Sequence, residues 1–210
     1  MNKRRIVTLF LGIFLGFDLA AFGDGLIKFP TGPAVWTIDV TPSSQQPSAT
    51  TTKEYVTKIE ITQDDKEQRS LVTWSSGRTK ESWYVPTMNL IVTENKDGRP
   101  FLVSNSGYAG EAFAIPFTAA AFQWLQPQFL QEKDPVSYHG KQCFHYKGSA
   151  VPVPAGKVPS PLTRREAWID SETLFPVALD AGTTLCTYTF SNKPPPPLVM
   201  PAKFQTVLGH

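Results

Sequence analysis

The chain has 210 residues, of which 41% are hydrophobic and 18% charged, and it holds 14 Phe, 6 Tyr and 5 Trp. This length fits one sizeable core, and the aromatic content excludes an intrinsically disordered protein. The 19 prolines disfavour a helix bundle because a proline inside a helix breaks it. Residues 1–23 hold three basic residues and one acidic residue, so the remaining chain has 17 of each, which excludes binding of nucleic acid through a surplus of basic charge.

The N-terminus has the pattern of a secretion signal. Lys3, Arg4 and Arg5 precede an uncharged run at 6–17 that is too short to span a bilayer. Ala21 and Gly23 place small residues before a cleavage site. We therefore expect a signal peptide at 1–23 and an exported mature domain at 24–210, periplasmic or secreted; an uncleaved signal anchor is the alternative. No cysteine lies near the cleavage site, so a lipobox is missing.

Strand patterns dominate the first half of the mature chain. Alternating apolar and polar residues, with β-branched and aromatic side chains, predict strands at 34–40, 55–62, 70–74, 79–85, 89–94 and 100–104. Turn residues separate them, most clearly at 95–98, where Gly98 tolerates a positive φ. The strands from 55 to 104 therefore predict an antiparallel meander.

One segment differs from the strands around it. Residues 117–131 contain three consecutive alanines among Phe122, Trp124, Leu125 and Phe129, and alanine is the best helix former. We therefore predict one apolar helix, which Pro127 kinks or divides. It is apolar nearly all round, so it either plugs an open sheet face or forms a lid over a ligand cavity.

Strand patterns resume after this helix. Strands are predicted at 142–148, 164–170, 174–180, 183–190 and 202–208, with a proline-rich loop at 151–161. The fold class is thus mainly β, with about ten or eleven strands and a single apolar helix.

The cysteines and histidines offer few sites for chemistry. Cys143 and Cys186 are the only cysteines, and in an exported chain they predict a disulfide; two buried free thiols are the alternative. His139 and His145 flank Cys143, but no fourth ligand is evident, so we expect no metal site. Hydrolase, zinc-protease and nucleotide-binding motifs are absent from the sequence, and we expect neither an enzyme nor a cofactor.

Three motifs in the C-terminal half resemble those of the LolA/LolB-like periplasmic lipoprotein-carrier superfamily. Residues 138–144 (YHGKQCF) look like its Y-x-G-x-x-x-aromatic strand, and residues 168–176 (WIDSETLFP) resemble its W-I-D-x-x-T-x-x-P hairpin. Residues 201–204 (PAKF) are similar to its closing P-x-x-F. Two features differ: residues 24–33 do not read as the family's opening helix, and the lipobox of the LolB branch is missing.

The resemblance implies a single, strongly curved antiparallel sheet, an incomplete barrel whose concave face is covered by helical structure. It also implies binding of acyl chains or of a lipidated protein, without catalysis. We therefore expect an exported, non-enzymatic, monomeric binding protein for a hydrophobic ligand. The alternative is a structural or protein-interaction domain of the envelope without a cavity.

Strand period predicts which side chains face such a ligand. The expected hydrophobic site consists of Tyr55, Ile59, Ile61, Val72, Trp74, Trp83, Val85, Leu90 and Val92 from the meander, and Phe122, Trp124, Leu125 and Phe129 from the helix.

Overall fold

A computed structural model gives the structure of the protein and describes residues 26–43, 54–95, 97–104, 122, 124–126, 129–151, 160 and 163–209. The statements below concern these residues. The expected signal peptide at 1–23 and most of the proline-rich loop at 151–161 lie outside them.

Eleven strands and one short α-helix make up the regular structure of the described residues. The strands are β1 (Ala34–Pro42), β2 (Val56–Gln63), β3 (Gln68–Trp74), β4 (Thr79–Val85), β5 (Leu90–Glu94), β6 (Pro100–Ser104), β7 (Leu130–Tyr138), β8 (Lys141–Ser149), β9 (Arg164–Asp170), β10 (Pro176–Asp180) and β11 (Thr184–Phe190). The helix is α1 (Ala202–Leu208), and a 3₁₀ turn, Pro86–Met88, links β4 to β5. The predicted fold class and number of strands are confirmed.

The strands form one antiparallel sheet in the order β6-β5-β4-β3-β2-β1-β11-β10-β9-β8-β7. Each half is a meander, and the pairing of β1 with β11 joins the halves. The sheet is open, since β6 and β7 lie at opposite edges.

The two faces of the sheet differ in composition. Trp36, Ile38 and Val40 of β1 are buried, whereas Thr37 and Asp39 point to the other side, as the two-residue period of a strand requires. We call the first side the apolar face and the second the opposite face. Residues directly across an antiparallel pair share a face, so the strand register assigns every paired residue to one of them.

The main core lies on the apolar face. Its buried strand residues come from β1, β2, β3 and from β8 to β11: Trp36, Ile38, Val40, Ile59, Ile61, Val72, Trp74, Tyr146, Ala167, Ile169, Leu179, Cys186 and Tyr188. Burial of this apolar surface is the main favourable term in the folding of the sheet.

Two predictions for secondary structure are wrong. Residues 202–208 were expected as a strand but form α1, which begins after Pro201 and ends at Gly209, whose φ of +83° is typical of a helix C-terminus. The predicted helix at 117–131 lies largely outside the described residues, but its last two residues, Leu130 and Gln131, begin β7. Sequence reasoning missed β7, which contains Pro135; as an edge strand, β7 tolerates a proline.

The predicted disulfide is also wrong. Cys143 and Cys186 are both buried free thiols. Cys143 is in β8 and Cys186 in β11, with β9 and β10 between them, so three strand spacings separate them by about 14 Å. They also point to opposite faces, because Cys143 pairs with Asp170 while Cys186 pairs with Val40. A disulfide needs Cα atoms about 4.4–6.8 Å apart.

Candidate hydrophobic site

Side chains from the β6–β7 connection cover part of the apolar face. Phe122, Trp124 and Leu125 are 3%, 5% and 3% exposed and belong to the same core cluster as the strand residues of that face. Phe129 packs against the cluster and is partly buried. The backbone at Phe122, Trp124 and Leu125 forms a short 3₁₀ turn. The apolar cover that the sequence predicted is thus present at these residues.

The segment before β1 also lies against this face. The ring of Phe29 is 6.0 Å from that of Phe122 and 6.4 Å from that of Tyr188. The side-chain amide of Gln63 donates hydrogen bonds to the carbonyls of Pro30 and Gly32, at 3.2 and 2.9 Å. These hydrogen bonds hold the N-terminal segment beside Phe122.

The structure brings together only part of the predicted site. Ile59, Ile61, Val72 and Trp74 lie on the apolar face with Phe122, Trp124, Leu125 and Phe129. Tyr55 precedes β2 and is 46% exposed. The site on the apolar face is therefore smaller than the sequence suggested.

Four predicted residues lie on the opposite face instead. Trp83 pairs with Arg69 and Val92, so Trp83, Val85, Leu90 and Val92 point away from Val72. Trp83, Val85 and Val92 pack in a second cluster against Met200 and Phe204 of the C-terminal segment. The indole N–H of Trp83 donates to Glu81 at 3.1 Å. Trp83, Val85 and Val92 therefore belong to the contact with the C-terminal segment and not to the site on the apolar face.

Two buried indole N–H groups of the apolar cluster lack an acceptor. Nε1 of Trp36 and Nε1 of Trp124 are buried, and within the described parts of the chain neither has a hydrogen-bond partner. A buried donor without an acceptor costs on the order of 1–3 kcal/mol. Buried polar groups in proteins are nearly always satisfied, so these two N–H groups are unusual among the polar atoms of the apolar face.

Charge is distributed unequally between the two faces. Register places the nine carboxylate residues of the strands on the opposite face: Asp39, Glu60, Glu81, Glu94, Glu132, Asp134, Glu166, Asp170 and Asp180. The apolar face instead carries Lys80, which pairs with Val72, Lys133, which pairs with Tyr146, and Arg165, which pairs with Gly148. The charges that the described strands direct to the apolar face are therefore all positive.

The histidine and cysteine motif forms no metal site in the structure. His139 lies in the turn after β7 with a φ of +49°, while His145 and Cys143 lie on the opposite face of β8. Nε2 of His145 is 2.9 Å from Glu166, and its ring stacks on Trp168 at 4.5 Å. Burial raises the pKa of the Cys143 thiol. No group of metal-binding side chains occurs within the ranges that the structure describes.

A separate groove lies next to α1. It has a volume of about 510 Å³ and is lined by residues of the β2–β3 turn, of β4 and of the C-terminal segment, among them Glu67, Val85, Met200 and Leu208. Burial, and next the nearby Asp64, raise the pKa of Glu67. None of the residues of the apolar cluster lines this groove. Within the described ranges, no helix has the length and hydropathy needed to cross a bilayer.

Sequence reasoning missed Trp36 and Lys133 as members of the site. Trp36 was placed in a predicted strand, but only register with Ile61 and Phe190 shows that it lies on the covered face. Lys133 lies in the strand that was not predicted. The signal that could have identified Trp36 is its indole N–H, which is a polar group in a strand where the other residues on the same face, Ile38 and Val40, are purely apolar.

No protein-family model matches this chain, and no curated protein matches it. The solved structures that are similar to it include the following two. One is a domain from Vibrio parahaemolyticus that is named as an outer membrane lipoprotein-sorting protein, with 9% identity over 85% of this chain and 92% of that chain and a TM-score of 0.31. The other is a DUF1329 family protein from Desulfovibrio piger, with 12% identity over 76% of this chain and 83% of that chain and a TM-score of 0.31. We assign the fold of this protein from the strand order and register described above, and not from these two similarities.

Proposed function

We propose that this protein is an exported, non-enzymatic binding protein for a hydrophobic ligand, such as an acyl chain or a lipidated partner, which it holds against the apolar face. The observation that carries the proposal is the cover of that face. Phe122, Trp124 and Leu125 belong to no strand, yet they are almost fully buried on it. A ligand on this face would therefore contact these three side chains as well as the strand residues beneath them.

The positions of the five tryptophans allow a direct test. Trp36, Trp74 and Trp124 lie on the apolar face, whereas Trp83 and Trp168 lie on the opposite face. A brominated fatty acid quenches indole fluorescence only at short range. Added to delipidated protein, it should quench a variant that retains only Trp36, Trp74 and Trp124, with the other two changed to Phe. The matched variant that retains only Trp83 and Trp168 should keep its fluorescence.

Equal quenching of the two variants, or quenching of neither, would contradict the proposal. Native mass spectrometry of the protein purified from its own host adds an independent measurement. We expect a bound species that organic extraction removes, and we expect it to be recovered chemically unchanged because the proposal includes no reaction. A released ligand that is converted by the protein would contradict the non-enzymatic part.

Export is the part of the proposal that rests on the sequence. The basic residues at positions 3–5 and the apolar run at 6–17 predict cleavage after Gly23. Material purified from outside the cytoplasm should therefore begin at Asp24 by mass. An intact N-terminus on such material would show that the segment is not a cleaved signal.

A second candidate function is that of a structural or interaction domain with a solid core. The observation that favours it is the tight contact between Trp124 and Gly148, where an added Cβ would meet the indole ring at 2.9 Å. In that case the cover is permanent and no hydrophobic probe binds to the folded protein. The quenching experiment distinguishes the two functions.

A further inference from the structure

The indole of Trp124 and the ammonium group of Lys133 both lie near Tyr146 on the apolar face. Trp124 packs on Gly148, two residues from Tyr146 along the same face of β8. Lys133 lies directly across the β7–β8 pair from Tyr146. The Nζ atom of Lys133 is 4.3 Å from the ring centroid of Phe144 and 5.3 Å from that of Tyr146, so the ammonium group leans over the aromatic rings of this face.

Each of the two groups lacks the partner that its chemistry calls for. The indole N–H of Trp124 is buried and has no acceptor within the described parts of the chain. The ammonium group of Lys133 forms no ion pair with a described carboxylate, whereas Lys58, Lys147 and Lys203 each form one. The aromatic rings stabilise the cation of Lys133 only by about 0.5–1 kcal/mol at an exposed position. An acceptor that carries negative charge would therefore satisfy both groups, of which Lys133 is exposed and the indole N–H of Trp124 is buried.

The charge pattern of the whole face agrees with this. Lys80, Lys133 and Arg165 are the charged residues that the described strands direct to the apolar face, and the strand carboxylates lie on the other side. An anion beside Lys133 therefore meets no carboxylate that the described strands direct to this face. A cationic ligand would meet repulsion from the basic residues of this face.

We propose that Trp124 and Lys133 form the headgroup end of the hydrophobic site, with the indole N–H and the ammonium group donating to the anionic headgroup of an amphiphile whose apolar chain lies along the aromatic rings of β8. This inference rests on the proposed function, since it assigns the ligand class of the same site. The shared chemistry is a carboxylate or phosphate oxygen next to an acyl or alkyl chain. A fatty acid and an acidic phospholipid both supply it.

Three probes with the same chain length separate the contributions of head and chain: laurate, methyl laurate and dodecylamine. We expect the delipidated protein to bind laurate about tenfold or more tightly than methyl laurate, which is the effect of one charge-assisted hydrogen bond. Dodecylamine should bind least tightly. Added salt should weaken laurate binding and leave methyl laurate binding unchanged. Lysophosphatidate and laurate, compared in the same assay, distinguish the phosphate and carboxylate sources.

Matched variants test the two residues. Lys133→Gln should lower laurate affinity about tenfold and leave methyl laurate affinity unchanged. Lys58→Gln makes the same change of charge on the opposite face and should alter neither. Trp124→Phe should lower affinity for both probes about three- to tenfold, whereas Trp83→Phe, which removes an indole that already donates to Glu81, should alter neither.

A spectroscopic measurement on the native sequence tests the role of Trp124 even if the Trp124 variant does not fold. In protein labelled with ¹⁵N at the indole nitrogens, laurate should shift the Trp124 N–H resonance downfield and leave that of Trp83 in place. Equal affinity for laurate and methyl laurate, or equal effects of Lys133→Gln and Lys58→Gln, would overturn this inference and leave the proposed function standing. Failure of all of the probes to bind would overturn the proposed function and the inference together.

Discussion

The indole ring of Trp124 lies directly on Gly148 of β8. A Cβ built on Gly148 would be 2.9 Å from Cε3 of Trp124 and 2.5 Å from the backbone carbonyl oxygen of Phe129. The amide of the next residue, Ser149, donates to that same carbonyl at 3.2 Å. Gly148 is thus one point where the β6–β7 connection meets the sheet, and only a residue without a side chain allows this approach.

The first prediction concerns this contact. Gly148→Ala should displace Trp124 and the Phe129 carbonyl, which is a backbone atom and cannot rotate away. We expect the free energy of unfolding to fall by about 1–3 kcal/mol, measured by denaturant titration. Gly32→Ala is the matched control because a Cβ at Gly32 meets nothing within 4 Å. If Gly32→Ala loses as much stability as Gly148→Ala, the close contact at Gly148 is not the cause of the loss.

The second prediction separates the two sides of the sheet. Phe204 of α1 is fully buried against Trp83 and Val92, so Phe204→Ala should lower the free energy of unfolding by about 3–5 kcal/mol. Because this cluster is on the opposite face, the affinity of the folded protein for laurate should not change. Thr206→Ala, at an exposed position of the same helix, should change stability by no more than about 0.5 kcal/mol. A loss of laurate affinity in folded Phe204→Ala protein would show that the faces are coupled.

The third prediction concerns the thiols. Burial raises the pKa of Cys186 to about 12 and also raises that of Cys143, so both remain protonated and unreactive in the folded protein at neutral pH. A thiol reagent should modify neither cysteine under native conditions. In denaturant without reductant it should modify both, and the finding of no free thiol there would restore the disulfide.

The fourth prediction concerns acid stability. Burial pushes the pKa of Asp170 upward, but hydrogen bonds from the backbone N–H groups of Thr173 and Glu172, with Lys141 nearby, outweigh it and lower the pKa below the ordinary 3.8. A carboxyl whose pKa is lowered by folding stabilises the native state above its unfolded pKa. That stabilisation is lost as the pH falls through the folded value.

Denaturant titrations between pH 7 and acid pH test this point. We expect the native protein to lose about 1 kcal/mol more than Asp170→Asn as the pH falls past the ordinary pKa. Asparagine keeps the oxygen that accepts the two backbone hydrogen bonds, so the turn between β9 and β10 is retained. It has no carboxyl group, so position 170 no longer titrates. Glu60→Gln, at an exposed ion pair with Lys58, is a control that should follow the native curve. Parallel curves for the native protein and Asp170→Asn would contradict the prediction.

The sequence determined the local structure where a single strong signal was present. The alternation at 34–40 and 79–85 predicted β1 and β4, because a strand with one buried face must repeat every two residues. The turn residues at 95–98 likewise predicted the hairpin between β5 and β6. Short segments with mixed signals were misjudged. Residues 202–208 are predicted as a strand but form a helix, although Pro201 before them and Gly209 after them are signals of a helix start and end.

Only the tertiary structure decided which side chains meet. The two-residue period of a strand predicts that Val72 and Trp83 are each buried. It does not predict whether they lie on the same face of the sheet. The pairing of Val72 with Lys80, and of Trp83 with Arg69, puts them on opposite faces. One residue of register reverses the face of a whole strand. The separation of Cys143 from Cys186, and the approach of Lys133 to Tyr146, follow from strand order in the same way. Strand order and register are fixed by contacts between distant parts of the chain, whereas periodicity is a property of neighbouring residues.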